Sequence, residues 1–230
     1  MMPQPAAITP ELWQSLGLTL RLAAVSTSVL LLISIPLAWW LSQSKWKGSV
    51  LVEALVNLPI VLPPTVLGFY LLVGLAPDSA FGRLWHSLTS GRLVFTFSGL
   101  VIGSVIYSMP YAVQPMVAAF RGLPMEMLDA ARTLGANGWR MLWSVALPAS
   151  RRALVVATVL GFAHTIGEFG VVMMIGGSIP GQTRVASIAL YDEVQKMNFT
   201  VAHTFALTLL AISYLALLSL LLLQRPRGSE

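Results

Sequence analysis

Apolar residues in this chain come in long unbroken runs, and charge, proline and glycine collect in the short stretches between them. Runs free of Asp, Glu, Lys and Arg extend over Leu22–Ser44, Ala54–Pro77, Leu93–Phe120 and Met197–Gln224, and another, Ala153–Thr183, is broken only by His164 and Glu168. About 20 apolar residues, rising about 1.5 Å each, cross the roughly 30 Å of hydrocarbon in a bilayer, and each run is long enough. The pattern predicts an all-α integral membrane protein with five transmembrane helices, at about 12–43, 52–76, 93–120, 150–176 and 200–224. They form one domain over 1–230, with a polar stretch at 121–149 between the third and fourth. The N-terminal residues Met1 to Pro10 include no basic residue, and the first apolar run is too long for the apolar core of a cleaved signal peptide, so it is expected to stay attached.

Composition agrees: 56% of the 230 residues are hydrophobic and 10% charged, against about a quarter charged in soluble domains. A net charge of +5 would point to nucleic acid in a soluble protein. In a membrane protein it reflects basic residues retained in cytoplasmic loops, so no nucleic-acid partner is expected. The absence of cysteine removes disulfides and thiolate metal sites. The chain has no phosphate-binding glycine loop, and His86, His164 and His203 are scattered, so neither a catalytic residue nor a metal site is expected.

The polar stretch is the most informative segment. Arg121-Gly122-Leu123-Pro124 ends the third run, and Met125 to Leu134 then reads as a short helix stopped at Gly135. Glu126 and Asp129 lie early in it and Arg132 late, which suits the helix dipole. Met127, Ala130, Ala131 and Leu134 recur at spacings of three and four, a small apolar face suited either to a groove in another protein or to lipid headgroups. Asn137-Gly138 marks the next turn.

Asp129-Ala130-Ala131, then Gly135, then Val145-Ala146-Leu147-Pro148 resemble the EAA loop of ABC importer permeases, with Asp for Glu and Val for Ile as mild departures. Leu58 to Gly68, Ala131 to Ala136, Ile166-Gly167-Glu168-Phe169-Gly170 and Ser178 to Arg184 are similar to the molybdate-type oxyanion permeases of that family. The resemblance implies a type I importer permease fold that works as a homodimer. Its partners would be two cytoplasmic ATPase subunits and a periplasmic oxyanion-binding protein. It also implies a cytoplasmic coupling helix in which Glu126, Asp129, Ala130, Ala131, Arg132, Leu134, Gly135, Leu147 and Pro148 engage the ATPase. The chain itself would take no cofactor, since ATP and Mg are bound by the partner. With that loop inside, nine of the fourteen Lys and Arg are cytoplasmic, the N-terminus is outside and the C-terminus inside.

Candidate pathway or gate residues are Pro59, Pro63, Pro64 and Thr65, where prolines disrupt the second span, with His164, Glu168 and Phe169 in the fourth. Glu168 needs a polar partner inside the membrane, and His164, four residues earlier on the same face, or the dimer mate would supply it. The glycines Gly161, Gly167, Gly170, Gly176 and Gly177 suit either a dimer interface or a flexible backbone within one subunit. The last outer loop, Gly176 to Thr200, is either the binding-protein dock or a solvated connection, with Pro180, Gly181 and Arg184 as candidate contacts. Within the family, tungstate or sulfate are alternatives to molybdate. Outside it, a passive channel or an intramembrane enzyme using Glu168 and His164 are the rival classes.

Overall fold

The computed structural model describes residues 10–224, all of whose regular elements are helical. In chain order they are α1 (Pro10–Gln43), α2 (Ser49–Val61), α3 (Pro64–Leu75), α4 (Ala80–Thr89), α5 (Phe97–Arg121), α6 (Met125–Thr133) and α7 (Gly138–Met141). A π turn at Leu142–Ala146 leads into α8 (Leu147–Ala149), followed by α9 (Arg151–Gly167), α10 (Gly170–Gly176), α11 (Ala186–Gln195) and α12 (Phe199–Gln224). Arg225 and Arg227, assigned to the inside, lie outside the described residues.

Among these, α1, α5 and Phe199–Leu222 are single helices long and apolar enough to cross a membrane. Two bent pairs, α2 with α3 and Gly138–Ala149 with α9, raise the number to as many as five. The core forms where α1 meets α5 and α9. Leu30, Ala38, Ala112, Val113, Met116, Phe120 and Ala157 are almost completely buried there, and Trp39 meets Phe120 edge-to-face with ring centroids 5.5 Å apart. Lipid tails are as apolar as these side chains, so close packing rather than water exclusion holds such helices together. By contrast α12 is buried over only 11% of its most apolar window, and Leu210, Tyr214, Leu215, Leu221 and Leu222 are exposed on it, as a lipid-facing helix requires.

The run expected at 52–76 is not one straight helix: α3 is bent 117° away from the direction of α2. The break falls at Leu62-Pro63, not at Pro59, which stays inside α2 and is buried. A residue before proline is pushed out of the helical region, and Leu62 and Pro63 both precede one. Their ψ angles are 136° and 134°, and Pro64 starts the next helix, where its missing N–H costs nothing. The run expected at 150–176 is broken as well. Glu168 leaves the helical region at ψ 131°, between Gly167 and Gly170, and the Ser187 hydroxyl donates to the carbonyl this frees at 2.6 Å.

The breaks lie against each other. A Cβ on Gly170 would come within 2.7 Å of Pro64 Cβ, so only glycine lets α10 start beside the start of α3. The other glycines of this run also serve contacts inside one subunit. Gly161 fits under Leu30, and Gly176 lies against Leu100 and Thr183. The dimer-interface reading of these two is therefore replaced by intrasubunit packing, while Gly167 faces open space.

Gly170→Ala should destabilise the protein clearly, because backbone and a proline ring, not a flexible side chain, must give way. Gly135→Ala has free space but a φ of +78°, so it should cost roughly 1–2 kcal/mol from backbone strain alone. Thermal unfolding in detergent should rank both below the parent chain, with Gly170→Ala the lower.

Candidate functional site

The two breaks border an open-sided cavity of about 450 Å³ lined by Pro64, Thr65, Tyr107, His164, Gly167, Glu168, Phe169 and Gly170, among others. The structure thus unites Pro64, Thr65, His164, Glu168 and Phe169, which lie up to about a hundred positions apart in the sequence. Pro59 is elsewhere, lining a small apolar cleft with Leu55, Val56, Ile106 and Met109.

The expected His164 to Glu168 hydrogen bond is not formed. His164 Nδ1 is instead 2.9 Å from Ser108 Oγ, and its ring is stacked on Tyr111 with centroids 4.0 Å apart and tilted against Tyr107 at 4.7 Å. Ser108 also reaches Thr165 Oγ1 at 3.3 Å. The reason is the helix break. Glu168 is the residue after α9 and has extended backbone, so the i, i+4 relation that would align it with His164 no longer holds. Glu168 is 3% exposed, and among the described residues neither carboxyl oxygen makes a full hydrogen bond, although the Ser104 hydroxyl lies close to it. Ser104, on the facing helix α5, is buried and has no other hydrogen-bond partner among the described residues.

Polar contacts continue toward the other end of α5. Gln114 Nε2 donates to Asn57 Oδ1 at 2.5 Å, and Asn57 Nδ2 donates to the Glu53 carbonyl. At the end of α5, Arg121 grips both carboxylate oxygens of Glu53 at 2.8 and 3.2 Å. None of Asn57, Tyr107, Ser108, Tyr111 or Gln114 stood out in the sequence. The available signal was the spacing of Tyr107, Tyr111, Gln114 and Arg121 at four, three and seven residues, a helical stripe obscured by the apolar residues around it.

The second candidate site is the segment after α5. Helix α6 ends as expected: Gly135 N–H donates to the Arg132 carbonyl and Ala136 N–H to the Ala131 carbonyl, the paired bonds of a left-handed glycine cap. Asn137 caps α7 by accepting from Arg140 N–H at 2.8 Å, and Asp129 pairs with Arg132 at 2.6 Å. The expected apolar face is divided, however. Ala131 is buried inward together with Leu128, while Met125 is 62% and Leu134 84% exposed. Glu126, Asp129, Ala130, Arg132 and Gly135 are also exposed, and Met127 is half-buried. Leu147 and Pro148 follow the π turn, in which Leu147 N–H reaches back to the Leu142 carbonyl. A wider turn relieves the clash that Pro148 would make with the preceding turn of an α-helix.

At the segment 176–200 the structure corrects the picture of an open polar loop. Residues 186–195 are α11, with Ala186, Ile188 and Ala189 buried, and Thr19 of α1 accepts from Ala186 N–H at 2.8 Å. Arg184 is not free to attract an anion: it lies 2.9 Å from Asp192, 3.5 Å from Glu193 and 3.7 Å from Glu11. Lys196 at 2.7 Å, then Asn198 and Arg184, holds Glu193 below the usual carboxylate range. Pro180 and Gly181 are exposed on the turn before it, Gly181 at φ +74° beside Gln14.

The sequence profile of the binding-protein-dependent transport system inner membrane components matches residues 30–225. The chain belongs to that family. The permease is 45% identical over 206 residues to the Molybdenum transport system permease protein ModB of Azotobacter vinelandii, covering 90% of this chain and 91% of that one. It is 30% identical over 219 residues to the Sulfate transport system permease protein CysT of Escherichia coli K12, covering 95% and 79%. Among solved structures, a bacterial ABC transporter involved in import of the acidic polysaccharide alginate superposes with a TM-score of 0.73 at 18% identity, over 94% of this chain and 81% of the other. That likeness supports the type I importer fold, and the family places the permease in the bacterial inner membrane as a multi-pass transport subunit.

A double-mutant cycle tests the corrected partner of His164. Ser108→Ala and His164→Ala should couple by about 0.6–2 kcal/mol in unfolding free energy, whereas His164→Ala and Glu168→Gln should be additive. Coupling only in the second pair would restore the His164 to Glu168 bond.

Proposed function

We propose that this permease is the membrane subunit of a molybdate ABC importer, carrying the ion from periplasm to cytoplasm by alternating access. The observation that carries the substrate is the 45% identity, over nine-tenths of both chains, to a molybdenum transport permease. In this reading the chain has five spans, N-terminus outside and C-terminus inside. It pairs with a second copy and receives the ion from a periplasmic oxyanion-binding protein. Two cytoplasmic ATPase subunits bind ATP and Mg and supply the energy, and the chain performs no hydrolysis.

The geometry supports this division of labour. The exposed side of α6, with Met125, Ala130 and Leu134 rimmed by Glu126 and Arg132, is a compact knob suited to a cleft in the ATPase. Its inward residues Leu128 and Ala131 tie it to the body, so movement of the knob is passed to α7, the π turn and α9. Pro64, Thr65, His164, Glu168 and Phe169 line the pathway or its gate. At the outer end the Pro180-Gly181 turn meets the binding protein, and Arg184 holds that turn in place through its three carboxylates.

Sulfate or tungstate is the second reading, and the sulfate permease relative is what favours it. A passive channel or an intramembrane enzyme leaves the exposed knob of α6 without a purpose.

Leu134→Asp should weaken ATPase binding by tenfold or more while the chain still inserts, as expected when a hot-spot apolar contact is replaced by a charge. Ala131→Glu should instead lower the yield of folded protein, because its side chain points inward. Vesicles containing the permease, its ATPase and its binding protein test the function itself. Molybdate should accumulate with ATP and not with a non-hydrolysable analogue. Uptake that ignores nucleotide would point to a channel, and uptake of sulfate in preference to molybdate would reverse the substrate ranking.

A further inference from the structure

Five of the seven tryptophans, Trp39, Trp40, Trp46, Trp139 and Trp143, gather at the end of the bundle that carries α6. Trp40 and Trp46 have ring centroids 6.2 Å apart, and Trp139 and Trp143 are stacked at 6.4 Å. Trp40 of the first pair and Trp139 of the second face one open-sided cleft of about 370 Å³, walled by the last two turns of α1 and the start of α7. Along α1 its lining runs from Pro36 through Trp39 to Gln43, about 10 Å at 1.5 Å per residue, and so from apolar to polar. Gly138 keeps the opposite wall low, with nothing within 4 Å of where its Cβ would stand. Because α1 is long and apolar enough to cross a membrane, its last turns stand where tryptophan rings favour the boundary between hydrocarbon and headgroups.

Cations stand at the polar end of the cleft. Lys45 follows the lining residue Ser44 and Arg140 follows Trp139; with Lys47, all three are exposed and form no ion pair among the described residues. The two segments that build the cleft, 12–52 and 133–167, contain no Asp or Glu. The next acids toward α2 and α6, Glu53 and Asp129, are already paired with Arg121 and Arg132, and Glu126 lies beyond them on α6. We propose that the cleft holds an anionic phospholipid, its phosphate on Lys45 and Arg140 and one acyl chain between the Trp39 side of α1 and the Trp139–Leu142 side of α7. A zwitterionic lipid brings a cation of its own against the same lysine and arginine, whereas an anionic lipid does not. The lipid would brace α1 against α7 and the π turn, the connection between α6 and α9. The site requires only that α1 cross the membrane, not that the chain be an importer.

Tryptophan fluorescence reads the site directly. The permease in phosphatidylcholine vesicles is titrated with phosphatidylglycerol or phosphatidylcholine brominated on the acyl chains, which quench the tryptophans they touch. Brominated phosphatidylglycerol should reach half-quenching at a mole fraction at least about fivefold lower than brominated phosphatidylcholine. Two variants, each checked by thermal unfolding, should bring the two lipids together. Gly138→Leu fills the cleft from a position with free space and keeps the charge, whereas Lys45→Gln with Arg140→Gln keeps the cleft and removes the charge. Equal half-quenching in the parent chain would overturn the site. So would a preference that survives Gly138→Leu, which would reduce the effect to attraction of anionic lipid by a basic surface. If Gly138→Leu folds poorly, a preference that survives the charge variant overturns the site in the same way. No transport is measured, so failed molybdate uptake would leave the lipid site standing.

Discussion

Everything distinctive in this permease follows from one constraint: backbone polar groups at membrane depth must be met by protein or by water. The chain interrupts its helices at Leu62-Pro63 and again at Glu168-Phe169, and each interruption frees carbonyl and N–H groups that lipid cannot satisfy. The structure meets this by placing the breaks side by side, with Gly170 beside Pro64 and the Ser187 hydroxyl on the Glu168 carbonyl. What remains unsatisfied, above all the Glu168 carboxyl, lines a cavity large enough for a hydrated ion. Removing the close approach at Gly170 would separate the breaks and leave each one exposed.

The rest of the molecule holds that junction and connects it to α6. Helices α1, α5 and α9 form a tightly packed frame, with fully buried small residues such as Ala38, Ala112 and Ala157 letting the backbones come close. The end of the bundle beside α11 is fixed by Arg184 and its carboxylates and by Thr19, which accepts from the first N–H of α11. At the other end, the glycine cap of α6 and the π turn before Pro148 fix how the exposed knob meets α9. In the importer reading, a push on α6 therefore reaches the broken helix whose end forms the cavity. Stiff elements joined at two hinges have two packed arrangements more readily than a continuum of them.

Much of this was legible in the sequence, and the omissions have physical causes. Hydrophobic run length marks the stretches that fold into long apolar helices or bent helix pairs, and the Gly135 stop of α6 is legible from one residue because only glycine takes a φ of +78° without strain. Thr65, His164, Glu168 and Phe169, which line the cavity, are legible because a carboxylate and a proline pair are conspicuous among apolar residues. Partners were harder to read. Helical spacing pairs His164 with Glu168, but the break at Glu168 removes that spacing, and Ser108, distant in sequence, takes its place. Arg184 reads as a free cation until the fold brings Glu11, Asp192 and Glu193 around it. The stripe on α5 was hidden because tyrosine, glutamine and serine carry no charge and interrupt no hydrophobic run.

In the importer reading, the junction of the two breaks opens and closes as nucleotide is turned over. Gly167 lies on its cavity and faces open space, so a cysteine there accepts a spin label without disturbing the packing. In the importer reading the complex holds two copies, and pulsed EPR measures the distance between their labels in nucleotide-free and ATP-trapped states. The account predicts two distinct distributions exchanged by nucleotide. A single unchanged distribution, in complexes shown to have trapped ATP, would contradict it.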